Sequence, residues 1–221
     1  MFAGIGIASY LIGMVATMPA SLLFGDQAWR TGVSGTVWHG EVGVAGGSVL
    51  RWDWAPLRSI TSLGFAADWH ATGANTDLGG RALIRPGRMV VDKVSGSADA
   101  TLLHLAAPNL PFSCAMTMQV ELPRLALGGD DQEIEGEIAT DAGSCMPTRG
   151  AAAAAPVPPL HITAQPIGNE TRIRITPMAQ QRQELVTATL ARDGGFTVTM
   201  TRDGAAMLPF AGIPGGSSIT F

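Results

Sequence analysis

From Val33 onward, apolar and polar residues alternate with a period of two in one segment after another. Val33, Gly35 and Val37 alternate with Ser34, Thr36 and Trp38, and Leu50, Trp52 and Trp54 with Arg51 and Asp53. Met116, Met118, Val120 and Leu122 alternate with Thr117, Gln119 and Glu121. Ile134, Gly136 and Ile138 are set between Glu133, Glu135 and Glu137. Ile173 and Ile175, then Phe196, Val198 and Met200, repeat the pattern. Such alternation predicts half-buried antiparallel strands, one face on a core and the other in water. Gly46-Gly47, Gly79-Gly80, Pro86-Gly87, Gly128-Gly129-Asp130-Asp131 and Asp193-Gly194-Gly195 punctuate it at hairpin spacing. Helix is expected to be scarce here. Ala98 to Ala107 reads as a short helix, while Gln180 to Leu190 reads as helix or strand because Val186, Thr187 and Thr189 are β-branched. The Ala/Pro-rich stretch near 150–159 reads as a surface loop.

The N-terminal segment follows a different pattern. Phe2 to Phe24 carries no charged side chain. As a helix it would extend roughly 34 Å, enough for a hydrocarbon core. It lacks a cationic leader and a clean small-x-small cleavage site, so it predicts a retained transmembrane anchor over 1–25 rather than a removed signal. The β-rich remainder, 26–221, would then lie outside the cytoplasm. Gly6, Ser9 and Gly13 share one helix face and suit close approach of a partner helix. Trp29 is placed for the membrane interface. The fold class is therefore mainly β: one N-terminal transmembrane helix followed by an antiparallel sheet.

Composition sharpens this picture. Only 14% of residues are charged against 46% hydrophobic, and the net charge is −4 with no block of Lys or Arg. Nucleic acid is thus an unsuitable partner. Two cysteines, Cys114 and Cys145, stand without a Cys-x-x-Cys pair or a Cys/His cluster. In a translocated chain two lone cysteines pair; the alternative is two buried thiols. Cys114 opens one strand-like run and Cys145 follows another, with Gly128 to Asp131 nearly midway between them. A meander around that turn would return both ends to one edge and permit a disulfide.

Candidate chemistry is thin. His39 with Glu41, and Asp68 with His70, each begin a metal site that no further residue completes at fixed spacing. Ser34 lacks the Gly-x-Ser-x-Gly elbow, and no phosphate-binding or dinucleotide fingerprint occurs. No catalytic, cofactor-binding or metal-binding residues are predicted, and the chain does not read as an enzyme. Trp29, Trp38, Trp52, Trp54 and Trp69 all fall in the first third. They fit either a binding face beside the membrane or a β-core; at least two of the last four are expected in a core.

Met18-Pro19-Ala20 closing the apolar run, VSGTVWHGEV from Val33 to Val42, and LRWDWAPL from Leu50 to Leu57 resemble the type II secretion system protein N family. DWHATG (Asp68 to Gly73), LGGRAL (Leu78 to Leu83), VVDKVSGSADATLL (Val90 to Leu103) and the cysteine region also resemble that family's layout. The resemblance implies a non-enzymatic inner-membrane component, with a periplasmic domain, of the machine that exports folded proteins. Its partners would be other secretion subunits and the bilayer. The family also resembles bridge-forming lipid carriers, which have curved sheets with an apolar groove. That analogy makes a lipid- or hydrophobic-ligand-binding periplasmic protein the alternative reading.

Overall fold

The computed structural model describes residues 7, 10, 13–22, 30–44, 46–103, 110–129, 132–148 and 153–220. The strands are β1 (Arg30–Gly35), β2 (His39–Val44), β3 (Ser48–Trp54), β4 (Phe65–Gly73), β5 (Thr76–Arg85), β6 (Arg88–Asp99), β7 (Phe112–Ala115) and β8 (Thr117–Leu127). They continue as β9 (Glu133–Thr140), β10 (Gly143–Pro147), β11 (Ala155–Val157), β12 (Leu160–Ile167), β13 (Glu170–Pro177), β14 (Val186–Ala191), β15 (Phe196–Met200) and β16 (Ser218–Thr220). Among the described residues between the strands are two short helices, α1 (Pro56–Ser62) and α2 (Arg202–Met207). A 13-stranded sheet runs β1-β2-β3-β4-β5-β6-β8-β9-β12-β13-β14-β15-β16, and β11-β10-β7 form a second, 3-stranded sheet. The large sheet is an antiparallel meander, interrupted only where β7, β10 and β11 leave it.

Its register explains the period-two sequence. One continuous cross-strand row is Val33, Val42, Leu50, Ala71, Leu78, Gly96, Val120, Ile138, Ile162, Ile175, Val186 and Met200. Every member is apolar. The neighbouring row, one residue along and on the opposite face, is Ser34, Glu41, Arg51, His70, Gly79, Ser95, Glu121, Glu137, Thr163, Arg174, Thr187, Thr199 and Ser218. A slip of one residue at any pair would put a charge or hydroxyl on the apolar face, so the register is strongly specified.

The apolar face is covered at both ends. Over its C-terminal half, Cys145 and Val157 from the small sheet and Leu208 and Phe210 pack on Leu160, Leu185, Val186 and Met200. At the N-terminal end, fully buried Ala20 sits against Val42, Trp52 and Ala67. Full burial of each larger apolar side chain contributes about 1.5–3 kcal/mol.

Several elements differ from the sequence expectations. Of the predicted helix over Ala98 to Ala107, Ala98 and Asp99 belong instead to β6, and Ala100–Leu102 form a 3-10 turn that Asp99 caps by accepting from the Thr101 N–H, while Leu103 is helical. His104 and the rest of that segment lie outside the described residues. Within Gln180 to Leu190, the β-branched Val186, Thr187 and Thr189 belong to strand β14. Part of the Ala/Pro-rich loop forms β11, an edge strand, where Pro156 costs no ladder hydrogen bond on its open side. Much of the Phe2–Phe24 run lies outside the described residues; among those described, no helix is long and apolar enough to cross a membrane.

Candidate functional site

Between the two covers, the apolar face of β3 to β6 is left as an open trough of about 480 Å³. Val44, Leu50, Trp52, Phe65, Ala67, Trp69, Ala71, Leu78, Ala82, Ile84, Met89, Val91 and Leu102 line it, all of them apolar. Its floor has a size pattern. Gly40, Trp52, Trp69 and Gly80 are consecutive partners across β2 to β5. A Cβ on Gly40 would run into the Trp52 ring, and one on Gly80 would lie 2.9 Å from Trp69 Cζ2. The two glycines thus provide the space in which the indoles lie against the sheet. Ala67, Ala71 and Ala82 keep the floor low beside them. One end is closed by Leu102; at the other, Ile84 and Met89 remain 49% and 39% exposed, so the trough is open there.

Beside the trough lies a joint built from the chain's most distinctive segments. The Val37 N–H donates to Met18 O at 2.9 Å, and Pro19 bridges Thr36. The Trp38 indole donates to Val15 O at 2.8 Å, and the Trp52 indole to Val37 O at 3.0 Å. The Trp54 N–H donates to Trp38 O at 2.7 Å, and the Trp38 and Trp54 rings lie 4.6 Å apart. Met18-Pro19-Ala20, the β1–β2 hairpin and Trp52-x-Trp54 therefore form one interlocked unit. Trp52 and Trp69 pack in the core clusters, while Trp38 and Trp54 are half-buried at the joint.

The sequence-predicted residues fall as follows. Cys114 and Cys145 are directly opposed on β7 and β10, Cα atoms 4.1 Å apart, and form a disulfide. The meander around Gly128-Gly129 is β8–β9, whose outer ends continue into those two strands. Gly13 is helical and accepts from the Thr17 N–H at 3.0 Å, with open space where a Cβ would stand. Gly6, Ser9 and Trp29 lie outside the described residues.

The polar face holds charges in ion pairs, with Asp68 taking both Arg58 and Arg81. His39 Nδ1 lies 2.8 Å from Asp53 Oδ1, and His70 Nε2 lies 2.9 Å from Asp77 Oδ1. Arg51 donates to Glu41 Oε2 at 3.0 Å and Ser34 to Glu41 Oε1 at 3.2 Å. The Arg51 hydrogen bond, then the Ser34 hydroxyl and the Arg51 charge, hold the Glu41 carboxyl below its ordinary range. Among the described residues no group of three or more His, Cys, Asp or Glu gathers into a metal site.

The sequence offered an apolar groove only through the family resemblance, and the small residues that form the floor of the trough are not among its candidates. The trough's signal was available in the small residues at inward positions of AADWHATG and LGGRAL, opposite the large Trp-x-Trp positions. Comparison of the chain with family models, with curated proteins and with solved structures finds no match.

Proposed function

We propose that this chain is a non-enzymatic component of a type II protein secretion system, held in the inner membrane by its N-terminal helix with the sheet in the periplasm. The observation that carries this reading is the joint. The segments on which the family resemblance rests are far apart in sequence, yet Met18-Pro19-Ala20, Val33 to Val42 and Trp52 to Trp54 meet in one contact network. That network holds the last turn of the apolar run against the sheet, as an anchored subunit requires to present its sheet in a defined orientation. Other secretion subunits would engage the anchor, with Gly6, Ser9 and Gly13 as contact candidates, and the open sheet edges at β1 and β16. Deleting the gene from its host tests the reading. Export of folded proteins across the outer membrane is expected to fall while transport into the periplasm continues; undiminished export overturns it. Mass spectrometry of the membrane fraction should find an N-terminus before Ser21.

The trough supports a second reading, binding of a lipid or another apolar chain. Its volume and uniform apolar lining suit a hydrocarbon segment. Ala82→Phe would fill the floor and is expected to lower the affinity for a fluorescent apolar probe by about tenfold or more, whereas equal binding by both forms counts against this reading.

A further inference from the structure

Helix α1 is turned inside out. Its polar residues face the protein: the Ser59 hydroxyl donates to Ala55 O at 2.9 Å and accepts from the Trp54 indole at 2.8 Å and the Ala66 N–H at 2.9 Å. Arg58 pairs with Asp68 of β4 at 2.8 Å. Its apolar residues face outward, with Leu57 79%, Ile60 70% and Leu63 86% exposed. These positions are three apart and share one face. Leu63 ends the helix in the left-handed conformation, φ 48°, where glycine or asparagine is the favoured residue. A leucine there is strained and, in water, uncovered.

Three features show what covers this face. First, α1 is tied to the exit of the apolar run, because the Trp54 indole donates to Ser59 of α1, the Trp54 ring packs at a tilt on Trp38, and the Trp38 indole donates to Val15 O. Second, Met14, Val15 and Met18 of that run are themselves exposed, and hydrogen bonds from Trp38 to Val15 O and from Val37 to Met18 O fix them to the same end of the sheet as α1. Third, the β5–β6 turn lies at the same end, since Phe65 pairs with Ile84 and Gly64 packs on Arg85. That turn offers exposed Ile84 and Met89 together with the exposed cation Arg85. Apolar side chains flanked by a cation match the boundary between acyl chains and phosphate headgroups.

We propose that α1 and the β5–β6 turn lie in the interfacial layer of the bilayer, so that the open end of the trough faces lipid. This rests on the membrane anchoring proposed above. The test uses the full chain with its disulfide intact, carrying Ile60→Cys labelled with an environment-sensitive dye, in phosphatidylethanolamine/phosphatidylglycerol vesicles with or without shallow spin-labelled lipid. The reference is the same dye on Thr187→Cys of the polar face. Co-flotation with vesicles, and quenching at position 60 at least about twofold stronger than at 187, is the expected result. Co-flotation with equal, weak quenching at both positions overturns the placement of α1 while leaving the anchor standing. A blue-shifted but unquenched dye at position 60 also overturns it, by assigning the face to a protein partner. Failure to co-float overturns both the placement and the anchor.

Discussion

The indole of Trp38 donates its N–H to the backbone carbonyl of Val15, 2.8 Å away, across 23 residues of sequence. The same ring packs on Trp54. Trp38→Phe keeps most of the ring contact and removes the donor; a net loss of about 1 kcal/mol is expected. Trp38→Ala removes both and is expected to cost about 2 kcal/mol. Urea midpoints of the full chain in detergent check the order of the two variants. Equal stability of all three proteins would show that the joint contributes nothing.

Gly80 is predicted to be intolerant for a reason of space. Its Cβ would lie 2.9 Å from Trp69 Cζ2 and 3.1 Å from Val94 Cγ2. Gly80→Val should therefore destabilise by about 1–3 kcal/mol and displace the Trp69 ring into the trough. Gly32→Ala, where nothing lies within 4 Å, serves as the control and should change stability by less than about 0.5 kcal/mol. Near-ultraviolet circular dichroism reports the ring and denaturant titration the stability.

Glu121 and Glu137 are direct cross-strand partners on the polar face of β8 and β9. Like charges in that relation oppose each other. Glu121→Lys reverses the sign and is expected to stabilise by about 0.2–1 kcal/mol, declining as salt is raised. A drop in the thermal midpoint at low salt would contradict this.

The sheet was legible because burial on one face and water on the other impose a period of two, and Val33 to Val42, Leu50 to Trp54 and Phe196 to Met200 keep it. The pairing of Cys114 with Cys145 followed from the same meander. The helix expected from Ala98 does not start there because Ala98 pairs with Met118 and extends the apolar face of β6. Tertiary pairing there outweighs the helix propensity of alanine and leucine. The trough was not legible as a site because its essential residues are small. Gly80, Ala67 and Ala82 carry no chemistry, and their role emerges only when the register places them beside Trp52 and Trp69. Likewise, α1 is too short for periodicity to reveal that its apolar face points outward.

Glu41 makes a pH prediction. Its carboxyl is held below the ordinary range mainly by the Arg51 hydrogen bond. A lowered folded-state pKa stabilises above the unfolded value, and that contribution is lost as pH falls through the folded value. The Glu41 carboxyl resonance should thus titrate at lower pH than an unpaired glutamate. Arg51→Gln should move its midpoint upward, and Glu41→Gln should remove this acid-side contribution to stability. A midpoint unmoved by Arg51→Gln would assign the shift to another cause.

The disulfide makes the last prediction. Cys114 packs against two core clusters, one under the small sheet and one under β6 and β8, whereas Cys145 is buried in the first alone. The bond closes a separation of 31 residues and staples β7 to β10 within the small sheet. For a loop of that length the chain-entropy model gives about 3–4 kcal/mol. Against a net stability of ~5–15 kcal/mol, its loss is large but survivable. The double replacement Cys114→Ala and Cys145→Ala avoids burying a new hydroxyl, and reduction of the unaltered protein separates the covalent term from the packing of the two sulfurs. The urea midpoint of the double variant should fall by the equivalent of that energy, while the strand signal of the 13-stranded sheet persists before unfolding. The small sheet should become the first site of protease cleavage, because β7, β10 and β11 pair only with one another. Protein purified from its host without reductant should show no alkylatable thiol until reduced. Two reactive thiols before reduction would contradict both the native bond and the proposed periplasmic placement, since a cytoplasmic domain is kept reduced.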